Sequence, residues 1–374
     1  MLSTLILALL VPSATLGPVD DWRQDSQENS YREMALNSLD TSEPLLLIQE
    51  QTSQLDPPKI SPLNSWEFPF VAAGYARANT ETSYNQRFQV FDQFSSGKTH
   101  MVCRMLLRLW DMNRQRLNLD HALTYHQRTV QVYLAFGGEP GAEQKFMEDP
   151  TVFDERNKPV RVNNIYIYAI TTLDDPLEFA REIAHEYGHA ILPPIGSGYS
   201  EPEKWAIGDI GERIYMTWLL EGMNSGKLKP DDVMGTPLSK MDAFYNKVVL
   251  PDLSRVATKG PDFDRLKRMD KSGFEEMLGL TSYLASLMPN KVFSRTLVLT
   301  GSPDPMDYHK SVIEAATERD TWQAKIPAGL KGQAIWIPLP EGEVKGAKQL
   351  QRKGDWVKVQ PTSGTFTVVN SLKG

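Results

Sequence analysis

His185-Glu186-Tyr187-Gly188-His189 is the string whose residue types and spacing could assemble reaction chemistry in this chain of 374 residues. On a helix, residues four apart leave one face about a turn apart, so both imidazoles can address a single point. That arrangement suits two nitrogens on a tetrahedral Zn²⁺, each at about 2.0–2.1 Å. Glu186, one residue on from the first His, projects beside such an ion rather than onto it. There it can take a proton from zinc-bound water and later deliver it to a leaving amine. Zinc brings the pKa of that water toward about 7, so attack on a polarised carbonyl becomes feasible at neutral pH. The bland alternative is a solvated His pair formed by chance. With six histidines in the whole chain, that coincidence is rare, about one per cent or less.

The string needs a helix, and the flanking sequence supplies one. Asp175 suits the N-cap, Pro176 the first helical position, and Glu178 the far side of a capping box. Pro193-Pro194 must end the helix. Phe179, Ile183, Tyr187, Ala190 and Ile191 give it an apolar side, where unliganded histidines would need other partners. Upstream, residues 68–76 and 87–91 have strand character, and residues 101–117 recur at helical spacing through Met105, Leu106, Leu109 and Trp110. Residues 129–136 and 163–170 are β-branched and aromatic, as strands are. The stretch between them is a polar loop rich in Glu, Asp and Pro. Downstream, glycine-rich 195–199 leads to a second helix, opened by Ser200-Glu201-Pro202-Glu203 and reaching about Glu221. Two or three further helices fill 237–320, and short strands with Gly and Pro turns follow Gln333.

Helix, strand, strand, motif helix and further helix, over about 68–222, together resemble the catalytic core of zincin metallopeptidases. The resemblance implies that 163–170 is a sheet edge pairing with an extended peptide substrate. It also implies a third ligand from the next helix. Where gluzincins often read Glu-Ala-Ile-x-Asp, this chain reads Trp205-Ala206-Ile207-Gly208-Asp209, so Trp205 stands in place of the ligand Glu. Asp209 and Glu212 share a helical face and are the remaining candidates. The expectation is Glu212 on the metal with Asp209 orienting a His; the reverse assignment and a lost third ligand stay open. Gly188, Gly208 and Gly211 point to close approach of the two helices. Tyr199, Tyr215, Tyr308 and His309 are candidates for stabilising an oxyanion. His100, His121 and His126 lack ligand spacing and are read as surface or capping residues.

The expected fold class is α+β: a zincin-like core of mixed sheet plus motif helix, a helical C-terminal subdomain and a small terminal β-module. Residues 1–17 read as a signal peptide, 18–64 as a disordered linker or pro-segment, 65–325 as the metallopeptidase domain and 326–374 as the β-rich module. Export follows from that leader. A net charge of −7 and the lack of any Lys/Arg-rich run leave no case for nucleic acid or stable membrane insertion. The single Cys, Cys103, sits in an apolar pattern and reads as an inert buried thiol. The functional expectation is a secreted zinc metallopeptidase acting on peptide or protein substrates. The alternative is a catalytically silent zincin-fold protein that binds peptide along an edge strand.

Overall fold

The computed structural model describes residues 46–47, 72–76, 88–93, 98–119, 129–153 and 159–371. The leader, nearly all of 18–64, His121 and His126 lie outside these residues.

Alternating apolar residues build a mixed six-stranded sheet of order β1-β2-β3-β4-β6-β5. Its centre is parallel: β3 (Phe88–Asp92), β4 (Val130–Leu134) and β6 (Pro159–Tyr168), with Val90 beside Val132 and Val132 beside Ile165. β2 (Ala72–Ala76) pairs antiparallel with β3, and β1 (Leu46–Leu47) with β2. β5 (Gly141–Phe153) pairs antiparallel with the other side of β6. Strand residues point alternately to the two faces, and the face carrying Phe88, Val90, Val132, Ile165 and Ile167 packs under helices. These are α1 (Lys98–Met112), continued by a π-turn over Asn113–Leu117, and α2 (Pro176–Ile191), the motif helix. Phe88 meets the Tyr187 ring edge-on at 5.7 Å. Cys103 is fully buried, and burial pushes its thiol well up, as an inert core residue requires.

Two expectations are corrected here. The stretch read as a polar loop is the 13-residue strand β5. Its polar composition hid it, because a strand at a sheet edge need not carry the apolar alternation of an inner one. The strand expected over 163–170 ends at Tyr168 as part of β6 and is not the edge: β5 covers it, with Gly141 opposite Tyr168 and Gln144 opposite Ile165. Among the described strands, β5 is the free edge on that side.

α3 (Ile207–Asn224) crosses α2, and the crossing explains the glycines. A Cβ at Gly211 would sit 2.5 Å from the Gly188 Cα, and one at Gly188 would sit 2.6 Å from the Ile207 carbonyl oxygen. Tyr187 and Tyr215 pack across the same interface with ring centroids 5.9 Å apart, and the Tyr215 hydroxyl donates to Asn113 Oδ1 at 3.0 Å.

Beyond α3 the chain forms α4 (Leu238–Phe244), α5 (Leu250–Lys259), α6 (Phe263–Leu266), α7 (Lys271–Leu287), α8 (Asn290–Leu299) and α9 (Pro305–Thr317). More segments occur than the two or three expected, because Gly260-Pro261, Pro289 and the 301–305 turn break the helical run. The chain ends in two three-stranded sheets: one sets Trp356–Pro361 between Ala347–Lys353 and Ile335–Pro338, and the other sets Thr365–Asn370 between Thr321–Lys325 and Gly342–Lys345. β7 (Thr321–Lys325) already belongs to them, ahead of the boundary expected at 326. They are fastened to the helices by Tyr283, which donates to the Trp336 carbonyl at 2.6 Å, and by Trp356, whose indole donates to His309 Nε2 at 3.1 Å. No helix among the described residues is long and apolar enough to cross a membrane.

The crossing yields a stability prediction. Gly211→Ala gains about 1 kcal/mol of helix propensity but forces two backbones apart, as overpacked interfaces do at a cost of about 1–3 kcal/mol or more. A net loss in urea denaturation is expected. An unchanged or higher midpoint would show that the helices are not held at this separation.

Candidate metal centre

α2 begins as its sequence requires. Asp175 Oδ1 accepts from the Leu177 amide at 2.9 Å, and Pro176 opens the helix. Glu178, expected to complete a capping box, instead pairs with Arg181 at 2.7 Å. At the other end the Leu192 amide reaches the Gly188 carbonyl, and Asn163 Nδ2, from β6, donates to the Ala190 carbonyl at 2.9 Å. A buried Asn with no apolar role thus ties the last turn of α2 to the sheet. With both ends fixed, the half-buried faces of His185 and His189 are presented to the space beneath α3.

There the two Nε2 atoms stand 3.2 Å apart. Two nitrogens at about 2.05 Å from one tetrahedral ion would be separated by about 3.3 Å. Glu203 closes the third side, with Oε1 at 3.1 Å from His185 Nε2 and Oε2 at 3.5 Å from His189 Nε2. A Cβ built on Gly208 would collide with Nε2 of both histidines. The volume that any other residue at 208 would fill is therefore the volume on which both nitrogens converge. A small cation fits there; a side chain does not. The donor set of two imidazoles and a carboxylate is one that zinc accepts with a ligand position left over.

The expected third ligand was Glu212, with Asp209 as the alternative. The structure sets Glu203, not either of these, against both Nε2 atoms. Glu212 is engaged elsewhere: Oε1 accepts from Arg181 Nε at 2.6 Å, and Oε2 lies 3.9 Å from His185 Nδ1, the nitrogen turned away from the other histidine. It is placed to orient the imidazole rather than to share its Nε2. Asp209 also comes near His185, and His185, Asp209 and Glu212 form a second close grouping. The second helix was expected to open at Ser200, but 200–206 is a loop and α3 begins at Ile207. Gly196 and Gly198 take left-handed φ of 68° and 92°, turning the chain so that the Gly198 amide bonds the Lys204 carbonyl and the Ala206 amide bonds the Gly196 carbonyl. That turn carries Glu203 back over the histidines. Its only sequence signal is a carboxylate in the glycine-rich connection fourteen residues after His189. Trp205 is half-buried and pairs with Ser197 in an isolated bridge.

The proposed oxyanion residues are not assembled at this site. Tyr199 packs edge-on to Phe274, Tyr215 bonds Asn113, Tyr308 is fully buried, and His309 lies between Phe263 and Trp356. None lines the cleft above the histidines, whose volume is about 320 Å³. Gly141 and Ala142, at the start of β5, do line it.

Burial and charge divide the ionisable groups. Burial alone would lower His185, but its contacts with Glu203 and Glu212 outweigh that and hold it well above an ordinary histidine. Burial lowers His189. Against its own burial, Glu203 is drawn down to about 2 by the two imidazoles. Glu186 is 3% exposed, and its Oε2 meets no hydrogen-bond donor among the described residues. Desolvation pushes this carboxyl up to about 8. Such an uncompensated acid beside a convergent donor set is what a proton-transfer site needs.

No family model matches the chain, and no curated protein matches it.

Two predictions arise from this geometry. If a zinc ion is held between the two Nε2 atoms, Gly208→Ala should displace the imidazole tips and weaken its binding by about 100-fold or more, well beyond the effect of a supporting residue, while circular dichroism stays unchanged. Retained affinity would show that the ion does not sit beneath Gly208. The second concerns the metal-free chain. Its folded form keeps a proton on Glu186 up to about pH 8, whereas the unfolded chain releases it near the ordinary value of about 4.3. That stabilisation is full below the lower value and is lost as pH rises through the higher one. In urea titrations at pH 5 and pH 8 with chelator present, stability should fall with pH, and less so in Glu186→Gln. Equal slopes in the two proteins would contradict the assignment.

Proposed function

We propose that this chain is a zinc-dependent peptidase of the zincin type, exported from the cell, with His185, His189 and Glu203 as the metal-holding residues. The observation that carries the proposal is the cleared volume under Gly208, on which two imidazole nitrogens converge and which Glu203 flanks. When bound, zinc supplies Lewis acidity that polarises a carbonyl and makes water a nucleophile near neutral pH. The chain's own groups do the rest. Glu186, with one carboxylate oxygen unengaged, accepts the proton from the attacking water and returns it to the departing amine. Glu212, held by Arg181, steadies His185 through its Nδ1 side. The free edge of β5 opens into the cleft at Gly141 and Ala142, which supports β-strand addition as the way an extended peptide is laid beside Glu186. This moves the recognition role from 163–170 to the strand beside it.

The order of elements supports the same reading. α1, β4, β6, α2 and α3 follow one another in the order on which the zincin resemblance rests, with the unexpected strand β5 inserted between β4 and β6. A silent, peptide-binding zincin drew its support from Trp205 in place of a ligand glutamate. Glu203 removes that motive by bringing a carboxylate from the preceding loop.

Elemental analysis of the purified chain should give about one zinc per molecule, lost in Glu203→Gln and retained in Glu186→Gln. Cleavage of a peptide library should drop by about 10²–10⁴-fold in Glu186→Gln. If that variant cleaves as fast as the parent protein, or no zinc binds after reconstitution, the proposal is wrong.

A further inference from the structure

The cleft holds more negative charge than the metal centre requires. Glu182, Glu186, Glu203, Asp209 and Glu212 line it, against a single guanidinium, that of Arg181. Three of the five have work already: Glu203 faces the histidines, Glu186 is the base, and Glu212 is paired with Arg181. Glu182 and Asp209 remain. Both are half-buried, both come within electrostatic range of His185 and Glu212, and neither makes a hydrogen bond or close ion pair with a described residue. The nearest cations are occupied. Arg181 is shared between Glu178 and Glu212, and Arg213 donates to the Val248 carbonyl and pairs with Asp252.

Two unpaired carboxylates in a partly desolvated cleft are unfavourable unless something positive comes to them. A second metal ion is poorly served. Once His185 Nε2 is on an ion, its Nδ1 carries the proton and points toward Glu212, so it is no longer a donor for another metal. A divalent ion at the first site still leaves the lining net negative, with or without a proton on Glu186. The buried Glu186 oxygen without a donor marks this same cleft as built to receive a ligand. The start of β5 gives that ligand a backbone to lie against.

We propose that Glu182 and Asp209 form a subsite for a cationic group of the peptide substrate, set beside the bond that is cleaved. The inference rests on the peptidase reading and narrows it to substrates carrying an amino or guanidinium group near the scissile position. Electrostatic recognition of this kind raises both association rate and selectivity, and weakens with salt.

Binding can be read without turnover. Zinc-loaded Glu186→Gln protein is titrated with dye-labelled peptides that differ at one residue, Lys, Arg, Met or Glu, each with a free or an acetylated amino terminus. A cationic peptide should bind about ten-fold tighter than its neutral match at low salt, with the advantage shrinking as sodium chloride is raised. Adding Glu182→Gln and Asp209→Asn should bring the ratio to within about two-fold. If acetylation alone removes the preference, the group recognised is the amino terminus; if the preference survives acetylation, it is a side chain; both outcomes support the subsite. Equal binding of Lys, Met and Glu peptides, or a preference untouched by the two substitutions, overturns it. So does a second zinc per chain that disappears with Asp209→Asn. Peptide cleavage by the parent protein tests the peptidase reading separately, so either can fail alone.

Discussion

The close crossing of α2 and α3 is the constraint on which the rest of this site depends. Gly188 and Gly211 let the two backbones approach to a distance no side chain tolerates, and Gly208 extends the bare surface over the histidines. Glycine inside a helix costs about 1 kcal/mol relative to alanine. Here the loss is offset by buried packing across the same seam, where the Tyr187 and Tyr215 rings meet. One geometric decision therefore does two things. It packs the helices, and it keeps empty the volume above His185 and His189. A wider crossing would also carry Glu212 away from the Nδ1 side of His185.

Electrostatics in this space is dominated by desolvation. Carboxylates crowded around two imidazoles under a helix cannot all be charged cheaply in a medium less polar than water. The structure sorts them by partner. Glu212 has His185 and Arg181 and falls below the ordinary range despite burial; Glu203 has the two imidazoles and falls to about 2. Glu186 and Asp209 lack such partners, and burial raises them to about 8 and about 6. Local frustration of this sort is tolerated where a ligand relieves it. Away from the cleft, buried Glu276, at the α5–α7 contact, is satisfied by Arg255 and the Asp262 amide.

What the sequence disclosed followed local rules. Asp175 and Pro176 start α2, Pro193 stops it, and four-residue spacing puts both imidazoles on one side. The inner strands announced themselves by β-branched and aromatic content, and the glycines by their improbability inside helices. Glu203 was hidden because its position depends on two left-handed glycine turns and on the Ser200 amide reaching the Met269 carbonyl, a contact with a residue far along the chain. Periodicity pointed instead to Asp209 and Glu212, which do line the cleft, Glu212 on the Nδ1 side of His185. The oxyanion candidates were drawn from residue type alone, and packing claimed them.

β5 was missed for the reason that makes it interesting. An inner strand is recognised by the apolar side chains it buries, but an edge strand is free to be polar, and Glu143, Gln144 and Lys145 give this one no apolar signal. A long, exposed and apolar edge would invite pairing with any other chain. Charged side chains discourage that, and the Lys145–Glu143 pair at 2.7 Å and the Tyr168 hydroxyl donating to Glu143 at 2.6 Å hold such groups along the edge. At Gly141 and Ala142, where β5 enters the cleft, the guarding side chains stop and small residues leave the backbone accessible. Under the proposed function, a peptide backbone can pair there beside Glu186, while pairing farther along the strand would have to displace the charged groups. The polarity that concealed the strand would then confine substrate to the one stretch of edge from which a scissile bond can reach the metal centre.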